Sequence, residues 1–381
     1  QEDNIGRTSG HLLNLSWTLN DNLELKSISS YRELTQGQFD MGLVDAISAY
    51  GGAGMPFGRY SLAQVYQHQY SQEFQLIGNT SQVQFLGGAF YYHETAGDNA
   101  QTPNMLVWGP GGNSYTVNPA TNPLDLSRVR IDRASKAWTD SLGVFGQATW
   151  TPEALQRLHL TAGGRYTRDD KKGSLYIVNG AATNLAFKDR WSRFDPMVNI
   201  AYDLGEHAMV YARYSTGFKA GGANSRSTNY TAFGPEEVTA YELGVKSQFW
   251  DNRARLNLAV FDSTIAHKQM DFSLPFDPNS GETRTTMVTT NALSDGKSRG
   301  AELEFNVMPI DNLTLGLNYA YTKIDAQTAT DPFGAGVQVT VQPLLAPKNA
   351  GSLSVDYLLP FSNVSALKCQ VDGNASDVYY T

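Results

Sequence analysis

Six histidines, a pair of carboxylates and two glycine-rich runs are the places where this sequence could do chemistry. His11, His68, His93, His159, His207 and His267 could ligate a metal ion. None of them stands at the i, i+4 spacing, or beside the Cys pairs, that bring imidazoles together on one ion. The single cysteine, Cys369, cannot form an intrachain disulfide and reads as a small half-buried hydrophobe. Glu302 and Glu304 could form an acid pair, but carboxylates two apart share one face of a strand, as in a solvated polar wall. The runs "GGAG" at 51–54 and "GPGG" at 109–112 lack the Lys-Ser/Thr ending and the following helix of a phosphate-binding loop. No nucleophile and base accompany them, so neither an enzyme nor a bound cofactor is expected.

Composition narrows the class. Charged residues make up 17% of the 381, against about 25% in a typical soluble protein, while Gly (35), Tyr (20) and Phe (17) are abundant. The net charge of -8 argues against a nucleic-acid binder, whose phosphate contacts need a basic face. No run approaches the roughly 18–20 apolar residues of a membrane helix. A membrane β-barrel stays open, because only alternate residues of its strands must be apolar. The first ten residues, "QEDNIGRTSG", lack a signal peptide's basic and apolar regions and an initiating Met, so a processed chain or the inside of a longer one is expected.

The elements that would position these residues are long strands. In "NVMPIDNLTLGLNYAYTKI" (306–324), Leu313, Leu315, Leu317, Tyr319 and Tyr321 alternate with small or polar residues. The same period of two recurs at 13–19, 158–167, 194–204 and 301–307, and about fourteen such strands can be counted. Seven connections are tight: 20–22, 78–81, 151–156, 205–207, 251–252, 309–312 and 360–363. Between them lie long polar or Gly-rich segments at 34–68, 94–137, 170–187, 216–236, 267–297 and 324–346. Strict alternation puts all tight turns at one end, as in outer-membrane barrels. Aromatics such as Trp17, Tyr31, Trp150, Tyr166, Tyr202 and Trp250 fall near strand ends, as interface girdles require. An all-β fold, a transmembrane antiparallel β-barrel, is expected.

One segment carries more than a pattern. Within residues 211–263, "GFKAGG" (Gly217, Phe218, Gly221, Gly222), Pro235–Glu236, "YELGVK" (Tyr241, Glu242, Gly244, Lys246) and "DNRARLN" (Asp251, Arg253) follow in order. This resembles the barrel of TonB-dependent outer-membrane receptors, particularly the siderophore-receptor-like branch. Stretches 71–94, 298–322 and 346–360 are similar to further hairpins of that family, and the resemblance spans essentially all 381 residues. It implies a partial barrel domain over 1–381, with about fourteen of about 22 strands present. It also implies a plug domain and TonB-contacting segment that are not in this chain.

The function implied is active uptake across the outer membrane of a Gram-negative bacterium. The ligand would be scarce, a ferric siderophore or similar metal complex. The partners implied are outer-membrane lipid, the TonB complex through the plug, and the chelate itself, with a monomeric receptor and no nucleic acid. A passive diffusion channel, a soluble β-rich adhesin or binding protein, and uptake of a saccharide or cobalamin are the alternatives. Candidate ligand contacts in the outer loops and lumen are His68, His93, Arg213, Lys219, Arg226 and His267. The glycines read first as backbone relief where a strand enters a loop. Arg213, Glu242 and Lys246 should face the lumen, Glu242 and Lys246 with cross-strand partners and Arg213 paired with a carboxylate of the plug or of a neighbouring strand.

Overall fold

The computed structural model describes residues 5–40, 56–59, 61–101, 104–110, 114–117, 131–274, 286–362 and 365–380. Fourteen long strands form one antiparallel sheet in chain order, with every strand beside its sequence neighbour. They are β1 (Ile5–Asn20), β2 (Leu23–Asp40), β3 (Ser61–Asn79), β4 (Val83–Gln101), β5 (Arg133–Trp150), β6 (Leu158–Val178) and β7 (Ala181–Asp203). The second half comprises β8 (Ala208–Lys219), β9 (Glu236–Phe249), β10 (Ala254–Ala266), β11 (Gly296–Ile310), β12 (Leu313–Ile324), β13 (Asn349–Ser362) and β14 (Ser365–Ser376). Strands β1 and β14 are the sheet's two edges among the described residues. Cys369 lies on β14 and is exposed rather than half-buried among the described residues.

Six of the expected tight connections lie wholly within the described residues and fall at one end of the sheet; the seventh, 360–363, runs into residues outside them, flanked by the directly paired Ser362 and Ser365. The segments at the other end are shorter than their polarity suggests. Residues 170–187 are no loop: β6 and β7 run on to a two-residue turn, Asn179–Gly180, both with positive φ (49° and 76°). This is the Asn-Gly signature of a tight hairpin. Strands β2 and β4 likewise extend to Asp40 and Gln101. The reason is physical: past the hydrocarbon both faces meet water, so the alternation of polarity stops while the hydrogen-bonded ladder continues. Small hairpins top the remaining connections, at 222–223 with 232–233, 269–274 with 286–291 and 327–330 with 338–341.

The two faces are unlike. Directly paired residues share a face, so the ladder Val144, Tyr166, Phe194 marks one side. On that side Trp17 (69%), Phe194 (61%) and Leu243 (58%) are exposed, with Val198, Ile200 and Val260 beside them. So much exposed apolar area suits lipid, not water. The other face carries Arg213, Glu242, Lys246, Asn257, Glu302 and Glu304 by the same registers.

Among the described residues the wall has a seam between β7 and β8. The β7–β8 ladder ends at Met197↔Ser215, next to Pro196, which has no N–H to donate. Above it β7 pairs only with β6. Side chains span the gap: Thr216 Oγ1 donates to Asp195 (3.0 Å), while Arg193 meets Asp195 (2.9 Å) and Glu237 (2.5 Å).

Candidate ligand path through the lumen

Two recesses open on the polar face among the described residues. The larger, about 660 Å³, includes Tyr211, Lys246, Asn257, Glu302, Glu304 and Asn318. Glu304 is pinned by Arg255 (2.6 Å), Asn257 (2.9 Å) and Asn306 (3.1 Å). Glu242 accepts from the Tyr211 hydroxyl across the strand pair at 2.6 Å, and the Lys246 ammonium sits 5.7 Å from the same ring. The cross-strand partner expected for Glu242 is therefore a phenol, and Lys246 finds an aromatic face rather than a carboxylate.

The second recess, about 620 Å³, brings Arg213 together with Arg165, Asp169 and Asp195. Arg213 is exposed to this space and makes no ion pair within 4 Å among the described residues. Arg165 was not singled out by sequence reasoning, although its parity on β6 puts it on the polar face. Its guanidinium lies 5.4 Å and 5.5 Å from the rings of Phe90 and Phe145 and donates to Thr167 at 2.9 Å. These contacts hold a charge that is free to meet a guest. Asp195 is already paired with Arg193, so the two guanidiniums stand against one further carboxylate, Asp169, a balance of two minus one that leaves the recess weakly attractive to an anion.

The remaining candidates fall on different sides. His68 and His93 stand on the same face as Tyr70, away from the lumen, because each is an even number of residues along its strand from that face. His93 bonds Asp140 at 2.7 Å, and His68 faces Tyr31 and Glu33 at 3.5 and 3.8 Å. Lys219, Arg226 and His267 lie at the loop end and are exposed. Arg226 steadies a hairpin rather than pointing freely: its carbonyl accepts from Met287 N at 3.2 Å and its Nη1 approaches Met287 Sδ at 3.3 Å.

The motif glycines differ among themselves. A Cβ on Gly221 would strike the carbonyl of Phe233 and the ring of Trp191, whereas Gly217 has open space around it. Gly222 meets only the Phe233 ring at 3.2 Å, and Gly244 lies under the Tyr211 ring. Crowding thus accounts for Gly221 and Gly244, and nothing in the structure explains Gly217 or Phe218. Pro235 and Glu236 belong to a clasp that sequence reasoning missed. Asn291 donates to the carbonyls of Gly234 (3.0 Å), Pro235 (3.3 Å) and His267 (2.8 Å), and accepts from Gly234 N at 2.6 Å. Gln269 donates to Ala220 and Gly234, both at 3.0 Å, while its backbone N–H reaches Glu236 at 2.8 Å. These amides replace the strand ladder that the loops lack. Asn291→Ala strips the clasp of four hydrogen bonds. The expected cost is about 1–3 kcal/mol, read as faster proteolysis and amide exchange confined to 220–235, 267–274 and 286–291.

Small apolar clusters complete the loop bases. Tyr230 packs with Leu175 and Val178, edge-on to Phe187 at 5.4 Å, and burial pushes its hydroxyl pKa up to about 12. Met270, Ala292 and Ala329 form a second cluster. At the tight-turn end Trp250, Asp251 and Asn252 all take positive φ, and Arg253 pairs with Asp311 of the neighbouring turn. Tyr241 faces away from the lumen, its ring 5.2 Å from Tyr214.

Comparison with known proteins agrees with this architecture. The family model "TonB dependent receptor-like, beta-barrel" matches residues 1–381. The metal-pseudopaline receptor CntO of Pseudomonas aeruginosa (strain UCBPP-PA14) is 28% identical over 194 residues, which are 51% of this chain and 24% of that receptor. Among solved structures, the ferric yersiniabactin uptake receptor FyuA from Yersinia pestis superposes with a TM-score of 0.71 at 16% identity. The match covers 97% of this chain and 49% of FyuA. The siderophore receptor PiuA from Acinetobacter baumannii gives 0.70 at 18%, covering 98% and 55%. The chain thus spans about half the length of these two receptors. The one-ended turns, the two-faced strands and a family match running the full length of the sequence have one reading: the chain belongs to the TonB-dependent receptor β-barrel family.

Proposed function

We propose that this chain is part of the barrel of an energised outer-membrane receptor in a Gram-negative bacterium, taking up a ferric siderophore or similar metal chelate. The family match over all 381 residues carries the reading. Curated relatives whose names specify metal-pseudopaline and ferripyoverdine support the choice of ligand class. In this reading further strands complete a ring of about 22, and a plug fills the lumen. The TonB complex then draws on the plug to open a path. The receptor works as a monomer, does no bond chemistry and needs no cofactor.

Within that scheme the clasped loops present Lys219, Arg226 and His267 to the arriving ligand. Arg213 and Arg165 form a cationic stretch of wall below them for an anionic chelate. His68 and His93 face away from the lumen, so the ligand role rests with the other four candidates and Arg165.

The test uses the full-length protein in cells, with radioiron supplied as hydroxamate, catecholate and mixed-ligand chelates. Accumulation of one class that stops on adding a protonophore is the expected result. Accumulation indifferent to the protonophore, together with steady conductance in a planar bilayer, would make the protein a diffusion channel and end this reading. Energised uptake of cobalamin or a saccharide with no chelate transported would remove the ligand assignment alone.

A further inference from the structure

The seam between β7 and β8 interrupts the wall in a way that capture of a chelate by loops and lumen does not require. Below it the ladder is closed at Met197↔Ser215. Above it Trp191 lies against Gly221, whose carbonyl accepts from Lys171 Nζ at 3.0 Å. Between these limits residues 192–196 of β7 are paired with β6 alone, over a length of about 16 Å. Parity shows that this gap passes through the wall. Arg193 shares the polar face with Asp195 and Met197, whereas Glu237 shares the outer face with Tyr241 and Leu243, so their 2.5 Å ion pair crosses from one face to the other. Pro196, Thr216 and Phe218 also have the outward parity of Val198 and Tyr214, yet they border the same recess as Arg165 and Arg213. A recess lined from both faces of a sheet reaches both.

Height decides what stands outside the gap. Met197 lies six residues before Asp203, where β7 enters its tight turn. That is about 20 Å along the strand, or about 15 Å along the membrane normal at a tilt of about 40°, past the middle of an apolar band about 25 Å tall. The seam therefore runs through the outer leaflet. Its outer rim is apolar: Phe194 (61% exposed) and Val198 (44%) stand on the β7 side, and the rings of Tyr214 and Tyr241 lie 5.2 Å apart on the other. Its inner rim is charged, with Asp195 and Arg193 at the gap and Arg165 and Arg213 deeper in the recess. Closure is light. Among the described residues no backbone hydrogen bond crosses the gap, and the links are Thr216 to Asp195 and Arg193 to Glu237. Side chains of this kind part by changing rotamer, while a ladder must be unzipped strand from strand.

We propose that the seam is a side slot for the hydrocarbon tail of an acylated metal chelate. The chelating headgroup occupies the recess beside Arg165 and Arg213, and the tail extends through the slot onto Phe194 and Val198 in the outer leaflet. A single acyl chain holds a small molecule reversibly at the leaflet, and drawing that chain into water is costly. A gap in the wall lets the headgroup enter the lumen before the tail leaves lipid, which a complete ladder would forbid. The slot rests on the chelate-uptake reading above and narrows its substrate to amphiphilic chelates.

The experiment uses the full-length protein in cells, carrying Cys369→Ser to remove the native thiol of this region. Arg193→Cys/Glu237→Cys sets a thiol on each side of the seam, and bismaleimidoethane ties the two; the untied variant is the reference. Radioiron is supplied as a hydroxamate chelate bearing either a dodecanoyl or an acetyl group. Tying the seam is expected to lower protonophore-sensitive uptake of the dodecanoyl chelate about tenfold or more, and to leave the acetyl chelate within about twofold. Independently, in the protein without these thiols, a diazirine at the end of the dodecanoyl chain should label Phe194, Val198 or Tyr214. Equal effects of the tie on both chelates overturn the slot, as does uptake of the acetyl but not the dodecanoyl chelate by the wild-type protein. Labelling confined to the loops also overturns it. Labelling of the same residues by a diazirine-tailed phosphatidylethanolamine that the chelate does not displace would assign the gap to membrane lipid and overturn it likewise. Uptake of both chelates indifferent to the protonophore, or of neither, would instead strike the chelate-uptake reading itself.

Discussion

Leu243→Arg is expected to destabilise the inserted barrel by about 2–4 kcal/mol, the cost of a cation on the lipid face near mid-membrane. Leu243 lies between Tyr241 and Val245 on β9, directly paired with Ala212 and Val260, and is 58% exposed. In water that exposure would be a liability, while in hydrocarbon it is the condition of stability. Glu242→Arg, one residue earlier, supplies the control. Its side chain faces the lumen and meets the Tyr211 hydroxyl, so the same new charge stays in a polar space and costs the lost hydrogen bond plus repulsion from the directly paired Arg213, together about 1–2 kcal/mol. Denaturant unfolding of the full-length protein in phospholipid vesicles reads both. Equal losses at the two positions would mean that the faces have been assigned wrongly.

The second large effect is expected at Gly300. This residue pairs with Phe261 on β10 and Thr322 on β12. A Cβ there would run into the carbonyl oxygen of Tyr321 and lie 2.7 Å from the Phe261 ring. A ring can swing aside, but a ladder carbonyl cannot move without its strand. Gly300→Val should therefore cost the upper range of overpacking, about 3 kcal/mol, with amide exchange accelerating along β11 and β12. Gly205→Ala, in the tight turn after β7, is the counterpart: nothing lies within 4 Å of its added Cβ, and the change should stay within about 0.5 kcal/mol. If Gly300→Val unfolds at the same denaturant concentration as the parent, the close approach of β11 to β12 is not what holds that glycine in place.

Alternation along each strand was enough to find the elements. Leu313 to Tyr321 and Leu158 to Tyr166 each show one lipid-facing set, and the short turns between such runs all fall at one end. That follows from local physics, since a strand has a side-chain period of two and hydrocarbon tolerates no unpaired backbone. The motif in 211–263 was legible for a related reason: Glu242, Gly244 and Lys246 share one parity, and Tyr241, Leu243 and Val245 the other.

What lay beyond the sequence concerns pairing at a distance. Residues 170–187 look like a loop because polarity stops alternating above the membrane, yet β6 and β7 stay hydrogen-bonded to Asn179–Gly180. His68 and His93 look like loop histidines, but their parity relative to Tyr70 and Asp140 turns them outward. Residues that share a face within one strand are fixed by its own period. Which face of the sheet that is, how high it stands, and which distant residue meets it are fixed by register with strands remote in sequence. The same holds for the clasp built by Asn291 and Gln269 and for the pairing of Arg193 with Glu237 across the seam. A single-strand pattern carries no information about partners 24 to 57 residues away, and only the folded sheet brings them within hydrogen-bonding distance.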